Sequence, residues 1–284
     1  MVLVSEMSTT SLLFYGKASQ VFGMVEGQLQ FRYTKLLFMI GNDIYIGKTR
    51  ERVPTGTMGS VNFRTAYDIL QIPKEVYCPP ASKMLKLAPN ALSADCYVKR
   101  PNLTLFGDHE GINLNDLVYR DISASETLGR IPHPNIAQYY GCLVQDGRVT
   151  GICFKRYPRT LMAYVNPAAL NKEEFMKTNS DARARAATRY LTGIAEGIKE
   201  IHKYGLVHND INPENIMIDE QDNPIIIDFD SCLPTNSSLE KTKRTFGWYD
   251  SRVDKAKEEN DWRSWKEMET WLTGSSPAEY QFCY

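Results

Sequence analysis

Hydrophobic and polar positions alternate along residues 31–48, on both sides of a Gly-Asn-Asp cluster at 41–43. A period of two is typical of a half-buried strand, and a cluster of this kind favours a tight turn between two strands. We therefore predict a β-hairpin in an amino-terminal segment, residues 1–75, which contains no motif that can be tied to chemistry. Three prolines then interrupt residues 73–83 and indicate a linker.

A second part, residues 84–284, shows strand and helix patterns in a different order. The predicted elements are strand 94–100, helix 113–128, strands 136–144 and 149–157, and helix 181–203. Strands and one helix thus precede a mainly helical half. This order predicts an α+β fold with two lobes, an amino-terminal lobe at about 84–157 and a carboxyl-terminal lobe at about 158–284.

The long helix predicted over residues 181–203 has signals at both ends. Asn179 and Ser180 are good amino-terminal caps, and Gly205 is a good stop signal just beyond the last apolar position. Its apolar positions share one face: Ala187, Leu191, Ile194, Ile198 and Ile201. We expect this helix to form the centre of the helical half.

The stretch with the clearest chemistry is residues 208–215, His-Asn-Asp-Ile-Asn-Pro-Glu-Asn, followed at 225–230 by Ile-Ile-Ile-Asp-Phe-Asp. Phosphoryl transfer requires a carboxylate that orients the attacking hydroxyl and oxygen ligands that hold Mg²⁺ against the phosphates. Asp210 suits the first task. Asn215 and Asp228 suit the second, because Mg²⁺ prefers hard oxygen donors and takes only a few from protein.

These two stretches resemble the His-Arg-Asp-x-x-x-x-Asn and Asp-Phe-Gly motifs of eukaryotic protein kinases. The wider string over residues 94–271, with His-Pro-Asn-Ile at 133–136, is similar to a divergent kinase-like group of filamentous fungi. The resemblance implies a two-lobed protein kinase-like fold that uses ATP and Mg²⁺ to phosphorylate a protein, at serine or threonine by default. It also implies that Lys99 contacts the phosphates and that Tyr157 belongs to the nucleotide site. By the same comparison the carboxyl-terminal lobe is truncated.

In such kinases the lysine is paired with an acid on the following helix. At about 100° per residue, one face of helix 113–128 carries mostly apolar side chains, namely Leu114, Leu117, Val118, Ile122, Ser125 and Leu128. Asp121 lies in the middle of this stripe, whereas Glu126 lies about 115° away from it. We therefore predict that Asp121 is the partner of Lys99 and that Glu126 is solvated.

Two further residues take their expected roles from the resemblance alone. Thr245 occupies the position of a threonine that hydrogen-bonds the catalytic aspartate, in a segment similar to an activation segment. Asp261 resembles the acid that ties a helix to the catalytic loop, although a first-turn acid that favours the helix amino terminus explains it equally well.

The sequence departs from the kinase pattern at several points. Residues 82–98 contain no glycine, so the usual backbone clamp on the phosphates is missing, and the glycine-bearing segment 55–60 is better explained as a surface turn. Asn209 and Asn212 replace an arginine and a lysine of the catalytic loop, and Asp230 replaces the glycine of Asp-Phe-Gly. Loss of a cation from the loop weakens stabilisation of the transition state.

Three functions fit these features. The first is an ATP- and Mg²⁺-dependent protein kinase-like phosphotransferase. The second is a small-molecule kinase of the aminoglycoside or choline type, which the asparagine at 212 and the aspartate at 230 favour and His-Pro-Asn-Ile opposes. The third is a pseudokinase that serves as an interaction module, with residues 1–75 as a docking element; the complete set of Asp210, Asn215 and Asp228 opposes it.

Composition narrows the classes of partner. The formal net charge of −1 and the pI near 6.5 give no reason to expect a nucleic acid or membrane partner. The longest apolar run, 36–40, is far too short to cross a bilayer, and no signal peptide is evident. The six cysteines form no Cys-x-x-Cys pair, so we expect buried thiols in a reducing compartment, the cytoplasm or the nucleus.

Overall fold

The structure is a computed structural model that describes residues 17–25, 28–41, 43–53, 65–89, 92–107 and 113–282. The described chain forms two compact units, one from residues up to 78 together with 101–115, the other from 79–100 together with the chain from 116 onward. Predictions for Asn42 and for segments 1–16 and 55–60 lie outside the described residues. The predicted division into 1–75 and 84–284 stays a prediction.

The first unit is built on a four-stranded antiparallel sheet in the order β1-β2-β3-β4. Its elements are β1 Lys17–Val25, β2 Gln28–Ile40, β3 Asp43–Thr49, β4 Tyr67–Ile72, α1 Lys74–Tyr77 and a 3-10 turn at Leu103–Leu105. The predicted hairpin is confirmed as β2 and β3, with Gly41 in the left-handed region at φ 60°. Leu36 and Phe38 on β2 are buried together with Ala18 and Val53, which gives this sheet a small core of its own.

The sheet of the second unit has three antiparallel strands in the order β5-β7-β6. Its strands are β5 Cys96–Lys99, β6 Tyr139–Gln145 and β7 Arg148–Lys155, and helix α2 spans Leu114–Leu128. Asp146 and Gly147 both have positive φ, which suits the two-residue turn between β6 and β7. The predicted strand at 136–144 starts later than expected, because Ile136 pairs with Ile226 instead of with the sheet.

The chain from residue 158 onward is mainly helical, with short strands between the helices. Its elements are β8 Arg159–Thr160, α3 Leu161–Val165, α4 Lys172–Met176, α5 Ser180–Lys203, β9 Leu206–Val207, β10 Ile216–Ile218, β11 Pro224–Ile226, β12 Leu233–Pro234 and α6 Glu258–Thr273, with 3-10 turns at Pro213–Asn215, Phe229–Ser231 and Pro277–Glu279. Strands pair in the orders β11-β10-β8 and β12-β9. The predicted α+β class is confirmed.

Helix α5 begins and ends where its sequence signals lie. The Asn179 side chain accepts a hydrogen bond from Ala182 N and caps the amino terminus, and Gly205 follows the helix at φ 67°. A Cβ at Gly197 would lie 2.9 Å from the backbone oxygen of Asn135 and 2.8 Å from Ile226 Cδ1, so glycine allows Asn135 and β11 to pack closely on α5. This packing fixes the position of the loop that follows β11.

Phe229 connects the sheet and the helical part of the second unit. Its ring lies 6.5 Å from that of Phe154 on β7 and 5.8 Å from that of His208. All three residues lie close to the loops that carry the candidate chemistry. The cysteines of the described chain are buried, as expected. Across the described residues, no helix is both long and apolar enough to span a membrane.

Candidate functional site

The loop at residues 208–215, here called the Asp210 loop, is held in place by an acid from α6. Asp261 accepts hydrogen bonds from His208 N at 2.8 Å and from Asn209 N at 2.7 Å, and His202 Nε2 lies 2.8 Å from its Oδ2. Its carboxylate is fully buried. Two buried backbone N–H groups are satisfied in this way. The expected contact between this acid and the loop is therefore present.

Asn209 adopts a left-handed backbone conformation at φ 63°, which asparagine tolerates better than most residues. Its side-chain amide donates to Val207 O at 2.9 Å and to Ser231 O at 3.1 Å, and the residue is buried. Asn209, which replaces an arginine of the kinase pattern, thus joins the Asp210 loop to residues 227–231, here called the Asp228 loop. It leaves no cation there to bind a phosphorylated side chain.

Four donors surround the Asp210 carboxylate. Thr245 donates its backbone N–H at 2.7 Å and its hydroxyl at 3.1 Å, Asn212 Nδ2 donates at 3.2 Å, and Asn215 Nδ2 donates at 3.0 Å. Burial raises the pKa of Asp210, and the hydrogen bonds from Thr245 oppose that shift. The carboxylate is therefore fixed in orientation and accepts a proton more readily than an exposed aspartate.

This role of Asn212 was not predicted from the sequence, where the residue was considered only as the replacement of a lysine. Its amide also donates to Thr245 Oγ1 at 3.1 Å, so it bridges the threonine and the aspartate. The signal for this role was a short amide two residues after Asp210, within reach of that carboxylate.

Lys99 on β5 contacts two carboxylates from distant parts of the sequence. Its Nζ forms an ion pair with Asp121 on α2 and lies 2.5 Å from Asp228 Oδ1. The apolar stripe of α2 is buried as predicted, and Asp121 is buried with it. Glu126, on the neighbouring face, takes no part in this cluster. The structure thus brings together three of the residues predicted to form the site.

The electrostatics of this cluster follow from its burial. Burial alone lowers the pKa of Lys99, but the acids Asp121, Asp228 and Asp230 hold that pKa well above its usual value. Burial raises the pKa of Asp121 to about 6, although Lys99 opposes the shift. Burial also disfavours ionised Asp228, yet Lys99 and Lys243 outweigh it and hold the Asp228 pKa well below its usual range.

Asp228 has a left-handed backbone, φ 67°, which is uncommon outside glycine and directs its carboxylate toward Lys99. Ile227 N donates to Asn215 O at 3.0 Å, and this bond joins the Asp228 loop to the Asp210 loop. The Asn215 side chain uses its amide nitrogen for Asp210, and no described residue donates to its Oδ1. Asn215 Oδ1 and the Asp228 carboxylate are hard oxygen donors, the type that fits a small divalent cation.

Among the described residues, other acids do not complete a metal cage around Asn215 and Asp228. Within the described part of the chain, no group of three or more histidine, cysteine, aspartate or glutamate residues is placed to hold an ion. Mg²⁺ commonly takes only one or two ligands from protein and the rest from phosphates and water. The donor set of Asn215 and Asp228 therefore fits a metal that arrives with a nucleotide.

Asp230 and Lys243 complete the polar surroundings of Asp228. Asp230 Oδ1 lies 3.0 Å from Ser231 Oγ. Lys243 Nζ lies 3.9 Å from Asp228 Oδ2 and 3.9 Å from Asp230 Oδ2. This position of Lys243 was not predicted, because no local sequence pattern indicates that a residue 15 positions after Asp228 lies next to it.

Tyr157 lies just beyond β7 and is half-buried. Its hydroxyl accepts a hydrogen bond from Gln138 N at 3.1 Å, and Lys155 Nζ lies 5.6 Å from the centre of its ring. No described hydrogen bond or ion pair joins Tyr157 to Lys99 or Asp228. The structure therefore does not bring Tyr157 into the charged cluster, and its part in the nucleotide site stays a prediction.

Residues 86–88, which precede β5, pair with β6 at the far edge of the sheet. Cys142 N donates to Lys86 O at 2.8 Å, and Ala88 N donates to Cys142 O at 2.9 Å. Glu126 was predicted to be solvated and is instead half-buried, because it accepts hydrogen bonds from Lys86 N and from Tyr139 on β6, both at 2.8 Å. Within the described residues, no strand lies on the outer side of β5 next to Lys99.

Comparison with known families gives one match. The sequence model of the family described as "Protein kinase domain" matches residues 108–252, just over half of the chain. The match begins after Lys99 and includes Asp121, the Asp210 loop, Asp228 and Thr245.

Similar proteins include a "probable serine/threonine-protein kinase" of Clostridium acetobutylicum, 29% identical over 140 residues, which are 49% of this chain and 20% of that protein. Serine/threonine-protein kinase KIN4 of Saccharomyces cerevisiae is 28% identical over 112 residues, 39% of this chain and 12% of that protein. The 3-deoxy-D-manno-octulosonic acid kinase of Vibrio vulnificus is 34% identical over 83 residues, 27% of this chain and 33% of that protein. The chain thus spans a third or less of each of these relatives.

Proposed function

Because this chain belongs to the protein kinase family, we propose that it is a phosphotransferase that moves the γ-phosphate of ATP to a hydroxyl group of a protein. The observation that supports this proposal is the orientation of the Asp210 carboxylate by four hydrogen-bond donors. Serine and threonine are the proposed acceptors, since the similar proteins of Clostridium and Saccharomyces are named as serine/threonine-protein kinases.

In the proposed reaction, Asp210 binds the acceptor hydroxyl and orients its oxygen toward the γ-phosphorus. The bond from that oxygen to phosphorus forms while the bond to the β–γ bridging oxygen breaks and leaves its electron pair on ADP. The acceptor proton passes to the Asp210 carboxylate, whose pKa is raised by burial. A carboxylate of raised pKa is a better proton acceptor than an exposed one at neutral pH.

The remaining residues of the site position the nucleotide. Lys99 binds its phosphates, and Asp121 positions Lys99 through their ion pair. Asn215 and Asp228 would hold Mg²⁺, which neutralises charge on the phosphates when it is bound. Tyr157 is proposed as a wall of the nucleotide site. We further propose a reducing compartment, the cytoplasm or the nucleus, in keeping with the buried cysteines.

A second candidate is transfer to a small molecule. The similar Vibrio protein is named for a sugar-acid substrate, and Asn212 and Asp230 depart from the protein kinase pattern in the way that small-molecule kinases do. This candidate needs the same Asp210 chemistry and differs only in the acceptor. A panel of acceptors therefore separates the two.

The test measures ADP release and phosphate transfer from Mg-ATP to a peptide panel and to a panel of sugars, sugar acids and amino alcohols. We expect transfer to peptides by the wild type and none by Asp210→Asn. Transfer to metabolites alone would select the second candidate. If thermal stability does not rise with Mg-ATP and no transfer is found, the chain is a pseudokinase and both candidates fail.

A further inference from the structure

Neither Asn212 nor Glu214 of the Asp210 loop supplies a positive charge. Asn212 donates its amide to Asp210 and Thr245, and Glu214 accepts a hydrogen bond from Thr160 Oγ1 at 3.2 Å. Transfer of a phosphoryl group spreads negative charge over its oxygens, and a nearby cation stabilises that charge in the transition state. Such a cation has to come from another part of this fold.

Lys243 places an ammonium next to the Asp228 loop. Its Nζ lies 3.9 Å from one oxygen each of Asp228 and Asp230, beyond hydrogen-bond distance, and it donates no hydrogen bond to any residue of the described chain. Lys99 contacts the other oxygen of Asp228 at 2.5 Å. Two cations therefore flank this carboxylate, and the ammonium of Lys243, with 34% of its side chain exposed, is available to a ligand.

The backbone around Lys243 is held on both sides. Ser231, which is fully buried, donates its hydroxyl to Lys243 O at 2.5 Å. Two residues later, Thr245 N donates to Asp210 Oδ1 at 2.7 Å. Since two residues span at most about 7 Å, Lys243 is kept close to both loops of the site. Its ammonium therefore lies beside the Asp228 loop, while the backbone two residues later contacts Asp210.

We propose that Lys243 is a catalytic residue whose ammonium binds oxygens of the γ-phosphoryl group as that group passes from ATP to the acceptor. This role rests on the proposed function. As the bond to the acceptor oxygen forms, the bond to the β–γ bridging oxygen breaks and the acceptor proton goes to Asp210. Lys243 keeps its own protons and contributes charge. The competing role is structural, in which Lys243 only balances the charges of Asp228 and Asp230.

The two roles predict different contributions of Lys243 to the affinity for two nucleotide complexes. Mg-ADP with aluminium fluoride imitates the transferring phosphoryl group, and a residue that acts in the transition state contributes more to this complex than to Mg-ADP alone. The full chain is titrated with both complexes, and ATP hydrolysis is followed with water as the acceptor. Lys243→Ala is compared with Lys243→Arg and with Lys241→Ala, which removes an exposed lysine of the same segment.

For Lys243→Ala we expect Mg-ADP affinity within about twofold of the wild type, while affinity for the fluoride complex and kcat of hydrolysis each fall on the order of 10- to 100-fold. Lys243→Arg is expected to retain an intermediate kcat, and Lys241→Ala to match the wild type. Lys243→Gln, of similar length, replaces Lys243→Ala if the alanine variant does not fold.

If Lys243→Ala lowers the affinity for both complexes equally, Lys243 only balances the charges of Asp228 and Asp230, and the proposal is overturned. If Lys243→Ala keeps the wild-type affinities and kcat while Asp210→Asn abolishes hydrolysis, this role of Lys243 is overturned and the proposed function stays intact. A wild type that neither hydrolyses ATP nor binds the fluoride complex more tightly than Mg-ADP would overturn both.

Discussion

Two regions of the second unit differ in how completely their polar groups are bonded. In the Asp210 loop, backbone N–H groups are bonded to Asp261, and four donors fix the Asp210 carboxylate. On the sheet, edge strand β5 presents Lys99, with no described strand on its outer side. The groups of the proposed chemical step are thus pre-organised, whereas the proposed contact with the phosphates depends on a few individual side chains.

The largest effect is expected in the Asp210 loop itself. Asp210→Asn keeps the shape of the side chain but removes its ability to accept a proton, so we expect phosphate transfer to fall by about 10³-fold. The measurement is kcat for transfer from Mg-ATP. Asp254→Asn, an exposed aspartate of the neighbouring segment, is the matched control and should keep the wild-type rate. Comparable rates for the two variants would refute the role of Asp210.

The support of this loop is tested by Asp261→Ala. The change leaves His208 N and Asn209 N buried without an acceptor, and each such group costs about 1–3 kcal/mol. We expect the free energy of unfolding to fall by about 3 kcal/mol in urea titrations. Asp254→Ala should change it by less than about 0.5 kcal/mol. A loss of under 1 kcal/mol at Asp261 would show that the loop does not depend on α6.

The region around β5 is tested at the ion pair of Lys99 and Asp121. Asp121→Asn removes a charge that holds Lys99, so we expect Mg-ATP affinity to fall about 10-fold at pH 8, a change of about 1.4 kcal/mol. The pKa of Asp121 is raised to about 6, so its carboxylate is charged above pH 6 and gains a proton below it. The difference between wild type and variant should therefore shrink as the pH falls from 7 to 5.

Binding titrations at several pH values measure this difference in affinity. Protonation of the nucleotide itself affects both proteins equally, because both bind the same ligand, and it therefore cancels in the difference. A difference that stays constant down to pH 5 would contradict the assignment. Because the folded protein holds the Asp121 proton more tightly than the unfolded chain, this group should also favour the folded state increasingly as the pH falls through 6.

The smallest effect is expected at Tyr157. Tyr157→Phe removes the acceptor for Gln138 N and should lower the free energy of unfolding by about 1 kcal/mol. Mg-ATP affinity should change by less than about twofold, since a phenylalanine keeps the ring. Equilibrium unfolding and nucleotide titration measure the two quantities. A large loss of affinity would place the tyrosine hydroxyl in direct contact with the nucleotide.

Local patterns predicted much of the second unit. The cap at Asn179 and the glycine at 205 placed the ends of α5, because such signals act within one helical turn. Helix geometry alone placed Asp121 on the buried face of α2. The path of residues 86–88 was not predictable, since it depends on pairing with β6 about 55 residues further along the chain. The bonding of Glu126 was not predictable either, because one of its donors, Lys86 N, lies on that path.

Motif spacing alone identified the residues that can carry phosphoryl transfer, Asp210, Asn215 and Asp228, because all three lie in two loops that are close together in the chain. The groups that surround them depend on how the chain folds. Lys99 and Lys243 are far apart in the chain and flank one carboxylate, and Asn212 acquires its role from Thr245, which arrives from a later segment. Such contacts are set by the packing of distant elements, and no local pattern encodes them.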